Sequence, residues 1–159
     1  MKNVFHYDTK IGKIGIEENG SAITKIYFIN NDDEQAEILG ENETALLKEA
    51  IKQLNEYFDG KRSSFDLKLQ LQGTEFQKKV WNALIEIPFG ETRSYGEIAK
   101  IIGNEKASRA VGMANNKNPI PIIVPCHRVI GANGKLVGYA GGVDIKEKLL
   151  NIEKNNANG

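Results

Sequence analysis

The apolar residues of this chain repeat with two different periods, and the change from one to the other near Gln72 and Gly73 constrains the fold more than any other feature. From residue 3 to 29 apolar and polar side chains alternate, as in Lys13-Ile14-Gly15-Ile16-Glu17, which is the period of a half-buried strand. Asn19-Gly20 is a tight hairpin signal ahead of a second alternating run, Ala22-Ile23-Thr24-Lys25-Ile26-Tyr27-Phe28, so an antiparallel meander is expected. The acidic stretch from Asn30 to Glu43 reads as loop. Leu46, Leu47, Ala50, Ile51, Leu54, Tyr57 and Phe58 then recur at helical spacing until Asp59-Gly60 stops them, and a short strand is expected around Phe65 to Leu71. Beyond Gln72-Gly73 the strands give way to closely spaced, well-capped helices. An α+β chain of two domains follows, residues 1–72 and 73–159.

In the second domain Thr74-x-x-Gln77 is a capping box that opens a helix with Phe76, Val80, Leu84 and Ile87 on one face, ended by Pro88 and Gly90. Ser94-x-x-Glu97 opens the next helix, which carries Ile98, Ala99 and Ile102 and stops at Gly103. Ala107, Ala110, Val111 and Ala114 mark another short helix across a three-residue turn. Two short helices about a glycine suggest a helix-turn-helix whose second helix exposes Lys106 and Arg109, a pattern that simple core packing also produces. Asp144-x-x-Glu147 predicts a capped start for the last helix.

Charge sharpens the division. The chain carries 21 basic and 21 acidic side chains, a formal net charge of zero. Residues 1–72 hold 9 basic and 13 acidic groups, whereas residues 73–159 hold 12 and 8. Between Lys106 and Val143 stand five basic residues, Lys106, Arg109, Lys117, Arg128 and Lys135, with no Asp or Glu, as a phosphate-facing surface requires, although chance segregation of solvated charge gives the same pattern. A single Cys excludes an internal disulfide, and with only two His, His6 and His127, it argues against a structural zinc cage. Neither a leader-like N-terminus nor a run long enough to span a bilayer is visible, so a reducing, cytoplasmic setting without membrane attachment is expected.

The richest stretch for chemistry is Asn118-Pro-Ile-Pro-Ile-Ile-Val-Pro-Cys126-His127-Arg128-Val129-Ile130, stiffened by three prolines and a run of β-branched residues. A thiol reacts as its thiolate, and an adjoining imidazole with the positive charge of Arg128 lowers the energy of that anion. Neighbouring strand residues point to opposite faces, so Cys126 and His127 can cooperate only across a turn or a bridging water. Ile145, Leu149 and Glu153 lie at i, i+4 and i+8, which puts the Glu153 carboxylate in line with an apolar stripe, where a partner such as His127 would account for it. Taken alone, such a pair is more often a buried core cysteine beside a satisfied histidine, with Glu153 at a frayed helix end.

The Pro-Cys-His-Arg-Val of 125–129 resembles the hallmark of the methylated-DNA-protein-cysteine methyltransferases, also called 6-O-methylguanine-DNA methyltransferases. The resemblance extends from Phe89-Gly-Glu-Thr-Arg-Ser-Tyr95 through Ala107-Ser-Arg-Ala-Val-Gly112 and Asn118-Pro to Tyr139-Ala-Gly-Gly142 and Lys146-Glu-Lys-Leu-Leu-Asn-Ile-Glu153. It implies an N-terminal ribonuclease-H-like α/β domain and a C-terminal helical domain of winged-helix, helix-turn-helix type. It also implies that Cys126 accepts the alkyl group of 6-O-alkylguanine, or of 4-O-methylthymine, in double-stranded DNA, activated through a water by His127, which Glu153 orients. By the same resemblance Arg109 is the finger that fills the space of the extruded nucleotide and Tyr95 crowds the target phosphate and reaches the guanine. Asn118 ties the two sides of the site together, while Val129 and Ala140 offer backbone groups to the base. Ser94, Lys106, Arg128 and Tyr139 complete the set expected to meet DNA. Arg109 is equally a phosphate contact on its own chemistry, Tyr95 a packed aromatic, and Asn118 a turn residue before proline. Extrusion is required, because a thiol cannot reach a base atom inside an intact stack. The thioether product and the lack of a second thiol imply one turnover per molecule, by a single copy of the chain, with no metal or organic cofactor. Two departures stand out: Ala140 occupies a position often held by Ser, and Lys148 one often held by Trp.

Three rivals predict other behaviour. A damage-binding protein without transfer activity would lack the reactive Cys. A cysteine hydrolase would need an oxyanion hole and would turn over esters. A transcriptional regulator would need an operator, for which one helix in the groove of a single copy gives little specificity.

Overall fold

Alternation in the first 29 residues folds as three strands, β1 (Asn3–Thr9), β2 (Gly12–Glu18) and β3 (Ile23–Phe28), in an antiparallel sheet of order β1-β2-β3. The computed structural model describes residues 2–29, 43–136, 139 and 141–157. The loop expected from Asn30 therefore lies outside the described residues save for Glu43. Helix α1 (Ala45–Phe58) starts at Thr44, whose side chain accepts from the Leu47 amide, and packs Leu47, Ala50, Leu54 and Tyr57 onto the sheet face that carries Ile14, Ile16 and Ile26. All seven side chains are essentially inaccessible, each contributing about 1.5–3 kcal/mol of burial for the aliphatic groups.

Two local expectations change. The β2–β3 connection spans Asn19 to Ala22 and is not a two-residue turn. The Asn19 carboxamide accepts from the Ser21 and Ala22 amides, and Gly20 takes φ +96°. The expected strand at Phe65 to Leu71 is reduced to one parallel bridge, Ile23 to Leu69. Three residues before Leu69, both backbone groups of Asp66 are bonded instead to the Gln53 carboxamide of α1, at 2.9 and 3.2 Å.

The chain divides into two units, Met1–Leu71 and Gln72–Gly159. In the second, the Thr74 and Gln77 box caps α2 (Glu75–Ile85) with reciprocal bonds of 2.9 and 3.0 Å, and Val80, Trp81 and Leu84 face its core. Strand β4 (Arg93–Ser94) leads into α3 (Tyr95–Ile101), capped by the Ser94 and Glu97 box. Six residues, not three, separate α3 from α4 (Ser108–Asn116), turning at Gly103 with φ +83°. A 3₁₀ turn at Cys126–Arg128 precedes β5 (Val129–Ile130), which pairs in parallel with β4. The last helix, α5 (Val143–Asn156), does not use the expected Asp144 cap. Gly142 at φ +95° is its N-cap, no side chain bonds there, and Asp144 lies inside the first turn, where its charge still favours the helix dipole.

Candidate active site

The proline-rich segment does not continue as a strand to Cys126. Val124 turns back to Ile120 with a 2.9 Å backbone bond, the Cys126 amide bonds the Val124 carbonyl at 2.8 Å, and the Arg128 amide bonds Pro125 at 3.0 Å. This tightens residues 126–128 into the 3₁₀ turn that lets neighbouring side chains diverge by less than a strand would. Asn118 secures the segment from within: its Nδ2 donates to the Val124 carbonyl at 2.7 Å, its Oδ1 accepts from the Ile120 amide at 2.9 Å, and it hydrogen-bonds the Cys126 thiol. Between these anchors Ile122, 1% exposed, sits at φ +76°, a left-handed conformation that a β-branched residue adopts only under constraint.

Cys126 is 3% exposed. Burial pushes its thiol up to about 11, outweighing the hydrogen bonds from Asn118 and Tyr139 and the charge of Lys146 that pull it down. Neighbouring groups do favour the anion, Lys146 supplying the charge, but desolvation is the larger effect.

His127 is wholly buried and its Nε2 lies 2.6 Å from Glu153 Oε2. Burial lowers the imidazole below its usual range by more than Glu153 raises it, and the charges of Arg128 and Lys146 add to the lowering. For Glu153, 1% exposed, burial opposes ionisation most strongly, yet His127 and Arg128 together hold the carboxyl down at about 2. A neutral ring beside a carboxylate must donate from Nε2, which places the imidazole lone pair on Nδ1.

Arg128 is where expectation and geometry part. It is 7% exposed, its Nε and Nη2 grip the two oxygens of Glu153 at 2.8 and 3.0 Å, Nη1 donates to the Ile87 carbonyl at 2.7 Å, and the guanidinium lies 5.8 Å from the centre of the Phe89 ring. A side chain so engaged cannot reach a phosphate. It serves as the second anchor of Glu153, whose Oε1 also accepts from the Gly90 amide at 3.1 Å.

Lys146, which composition alone places on the surface, is wholly buried and donates to the Val129 carbonyl at 2.6 Å. Burial lowers its pKa, and the nearby Cys126 thiolate would raise it. Lys146, Leu149 and Glu153 stand at i, i+3 and i+7, so one face of α5 delivers a cation and an anion to the thiol's turn. No local signal in the sequence marks Lys146, since a lysine on such a helix ordinarily faces water.

Tyr95, at the start of α3, is half-buried. Its phenol is pushed up by burial and by Cys126, and its ring lies against Gly112 of α4. Tyr139 is half-buried and hydrogen-bonds the thiol. Val129 is buried beside the turn. These residues gather with Asn118 around Cys126. Lys106 and Arg109 are exposed on the turn and first turn of α4, and Ser94 uses its hydroxyl to cap α3. Ala140 lies outside the described residues. Among the described residues no three His, Cys, Asp or Glu side chains gather as metal ligands. The turn thus carries a buried thiol and, on the next residue, a carboxylate-backed imidazole, with the buried cation of Lys146 nearby.

The family model described as 6-O-methylguanine DNA methyltransferase, DNA binding domain, matches residues 75–155, and the ribonuclease-like domain of the same family matches residues 5–71. The chain is 72% identical over 113 residues to the methylated-DNA–protein-cysteine methyltransferase of Methanosarcina acetivorans, covering 71% of this chain and 72% of that protein. It is 48% identical over 157 residues to the protein of that name from Mycobacterium bovis, covering 97% and 95%. The crystal structure of Mycobacterium tuberculosis OGT in complex with DNA superposes with a TM-score of 0.88 at 47% identity, covering 97% of this chain and 94% of that one.

Proposed function

Because the chain belongs to the 6-O-methylguanine DNA methyltransferase family, we propose that it binds DNA through α3 and α4 and moves the alkyl group of 6-O-alkylguanine onto Cys126, irreversibly and once per molecule. The observation that carries this reading is the buried set of His127, Glu153 and Arg128, hydrogen-bonded around the Glu153 carboxylate on the turn that begins at buried Cys126, in the same unit as a helix pair with exposed cations.

The thiol rests protonated, so its proton leaves as the new bond forms. The Cys126 sulfur attacks the alkyl carbon, the bond from that carbon to the guanine oxygen breaks, and its electron pair stays with the base, which takes up a proton. His127 accepts the thiol proton, directly or through a water, and Glu153 stabilises the imidazolium so formed, while the Lys146 charge favours the developing thiolate. In-line displacement at carbon depends chiefly on placement, which the Asn118 and Val124 anchors supply. The base is extruded to reach the thiol, with Arg109 entering the duplex and Tyr95 pressing on the target nucleotide. A thioether is not hydrolysed by water, and the chain has no second thiol to regenerate the first. One copy carries the whole set, so the protein acts as a monomer, and a thiol kept reduced fits the cytoplasm.

Intact-protein mass after mixing with a duplex holding one 6-O-methylguanine tests the reading. One added methyl group per protein, mapped to Cys126 and absent in Cys126→Ala, is expected. An unchanged mass with tight duplex binding would replace transfer by damage binding.

A further inference from the structure

Helix α4 has two faces. Arg109, Ala110 and Met113 point to solvent, whereas Val111, Ala114 and Asn115 are buried. Asn115 is the anomaly on the inner face, a carboxamide 2% exposed among apolar neighbours. Its Nδ2 donates to the carbonyl of Cys126 at 3.3 Å. Its Oδ1 is also sealed from solvent and, among the described residues, accepts no hydrogen bond. An apolar side chain of similar volume would avoid that unmet acceptor, so core packing alone does not favour asparagine here.

The bond it makes is placed on the reacting residue itself. The Cys126 carbonyl already accepts from the Val129 amide, which closes the 3₁₀ turn. With Asn115 as second donor both lone pairs of that oxygen are engaged, and the peptide between Cys126 and His127 is fixed in orientation. The same end of α4 is held from its other side by Trp81, whose indole donates to the Ala114 carbonyl at 2.9 Å. Asn118 grips the segment two residues ahead of the cysteine at Val124; only Asn115, among the described side chains of α4, bonds the backbone of the cysteine.

We propose that Asn115 is a positioning residue for alkyl transfer, tying the DNA-facing helix α4 to the peptide of Cys126 so that the duplex and the thiol are held in one frame. The proposal rests on the transfer reading given above. The unmet Oδ1 is a strained feature kept for what the other end of the carboxamide does.

Asn115→Leu removes the donor and the orphan acceptor together, and Asn115→Asp keeps the shape but loses the donor. Single-turnover transfer from a 6-O-methylguanine duplex is measured at saturating DNA, beside the Kd for an unmethylated duplex and the thermal midpoint. Both variants are expected to transfer about tenfold or more slowly while duplex Kd stays within about twofold, since displacing a reacting group affects the chemical step more than binding. Asn115→Leu should unfold no earlier than the native protein. Native transfer rates in both variants overturn the proposal while leaving the transfer reading intact, and so does a rate loss matched in both by a fallen midpoint, which makes Asn115 structural. No transfer by the native protein overturns the transfer reading and the proposal with it.

Discussion

At the scale of single residues the balance of charge around Glu153 sets how the protein responds to acid. Both His127 and Glu153 have pKa values lowered by folding, so protons prefer the unfolded chain, and stability is present above the unfolded values and lost as pH falls. Loss should begin as pH drops below 6.5, where His127 of the unfolded chain protonates, and steepen from 4.5 toward about 2 as Glu153 does. At about 1.4 kcal/mol per pH unit the Glu153 contribution is on the order of 3 kcal/mol. Urea midpoints measured across this range should therefore decline in the native protein and decline less below pH 4.5 in Glu153→Gln. Arg128→Met should destabilise by about 3–5 kcal/mol, because it strands a buried carboxylate, and slow alkyl transfer as well; unchanged urea stability would mean that Glu153 needs only His127 and Gly90. With its thiol pushed up to about 11 by burial, Cys126 should react with iodoacetamide in the absence of DNA at a rate that climbs with pH through the alkaline range, and a plateau near neutrality would show that DNA-free protein already holds a thiolate. The pairing of Glu153 with His127 could be read from helical spacing, since a carboxylate in an apolar stripe needs a partner. Lys146 and Asn115 could not, because lysine and asparagine are ordinarily exposed and only the fold reveals that these two are not.

At the scale of elements, the helices that begin at Thr74 and Ser94 were legible because a capping box is a local code, complete within four residues. The start of α5 was misread by the same code. A box needs its first residue extended just ahead of the helix, and Gly142, free to adopt φ +95°, lets the helix begin one residue before Asp144. The strand expected at Phe65 to Leu71 failed for a non-local reason, the diversion of the Asp66 backbone to Gln53. Thr74→Ala should lower stability by about 1 kcal/mol through loss of the cap. Gly103→Ala, at φ +83° with open space where the methyl group would stand, should lower it by about 1–2 kcal/mol from backbone strain alone. Thermal unfolding reads both, and a neutral Gly103→Ala would show that the turn before α4 relaxes to a right-handed form.

At the scale of the whole molecule a net charge of zero conceals a basic second half, and that asymmetry was visible from residue counts. Which of its cations face solvent was not, since Arg128 and Lys146 are buried and only the fold removes Arg128 from the set expected to meet DNA. Duplex affinity should fall steeply with salt, and Lys106→Gln should weaken binding uniformly across sequences and reduce the salt slope by about 1, as expected for one phosphate contact. A salt slope unchanged in Lys106→Gln would place that residue off the duplex. The seclusion of Cys126 has a consequence for the lifetime of unused protein. A reagent good for a single event must wait intact among the electrophiles and oxidants of the cell. A thiol 3% exposed, with ionisation disfavoured until about pH 11, is a poor target for any of them. Burial thus gives the molecule a long shelf life, and the number of lesions a cell can answer at once is the number of unspent copies it has kept in store.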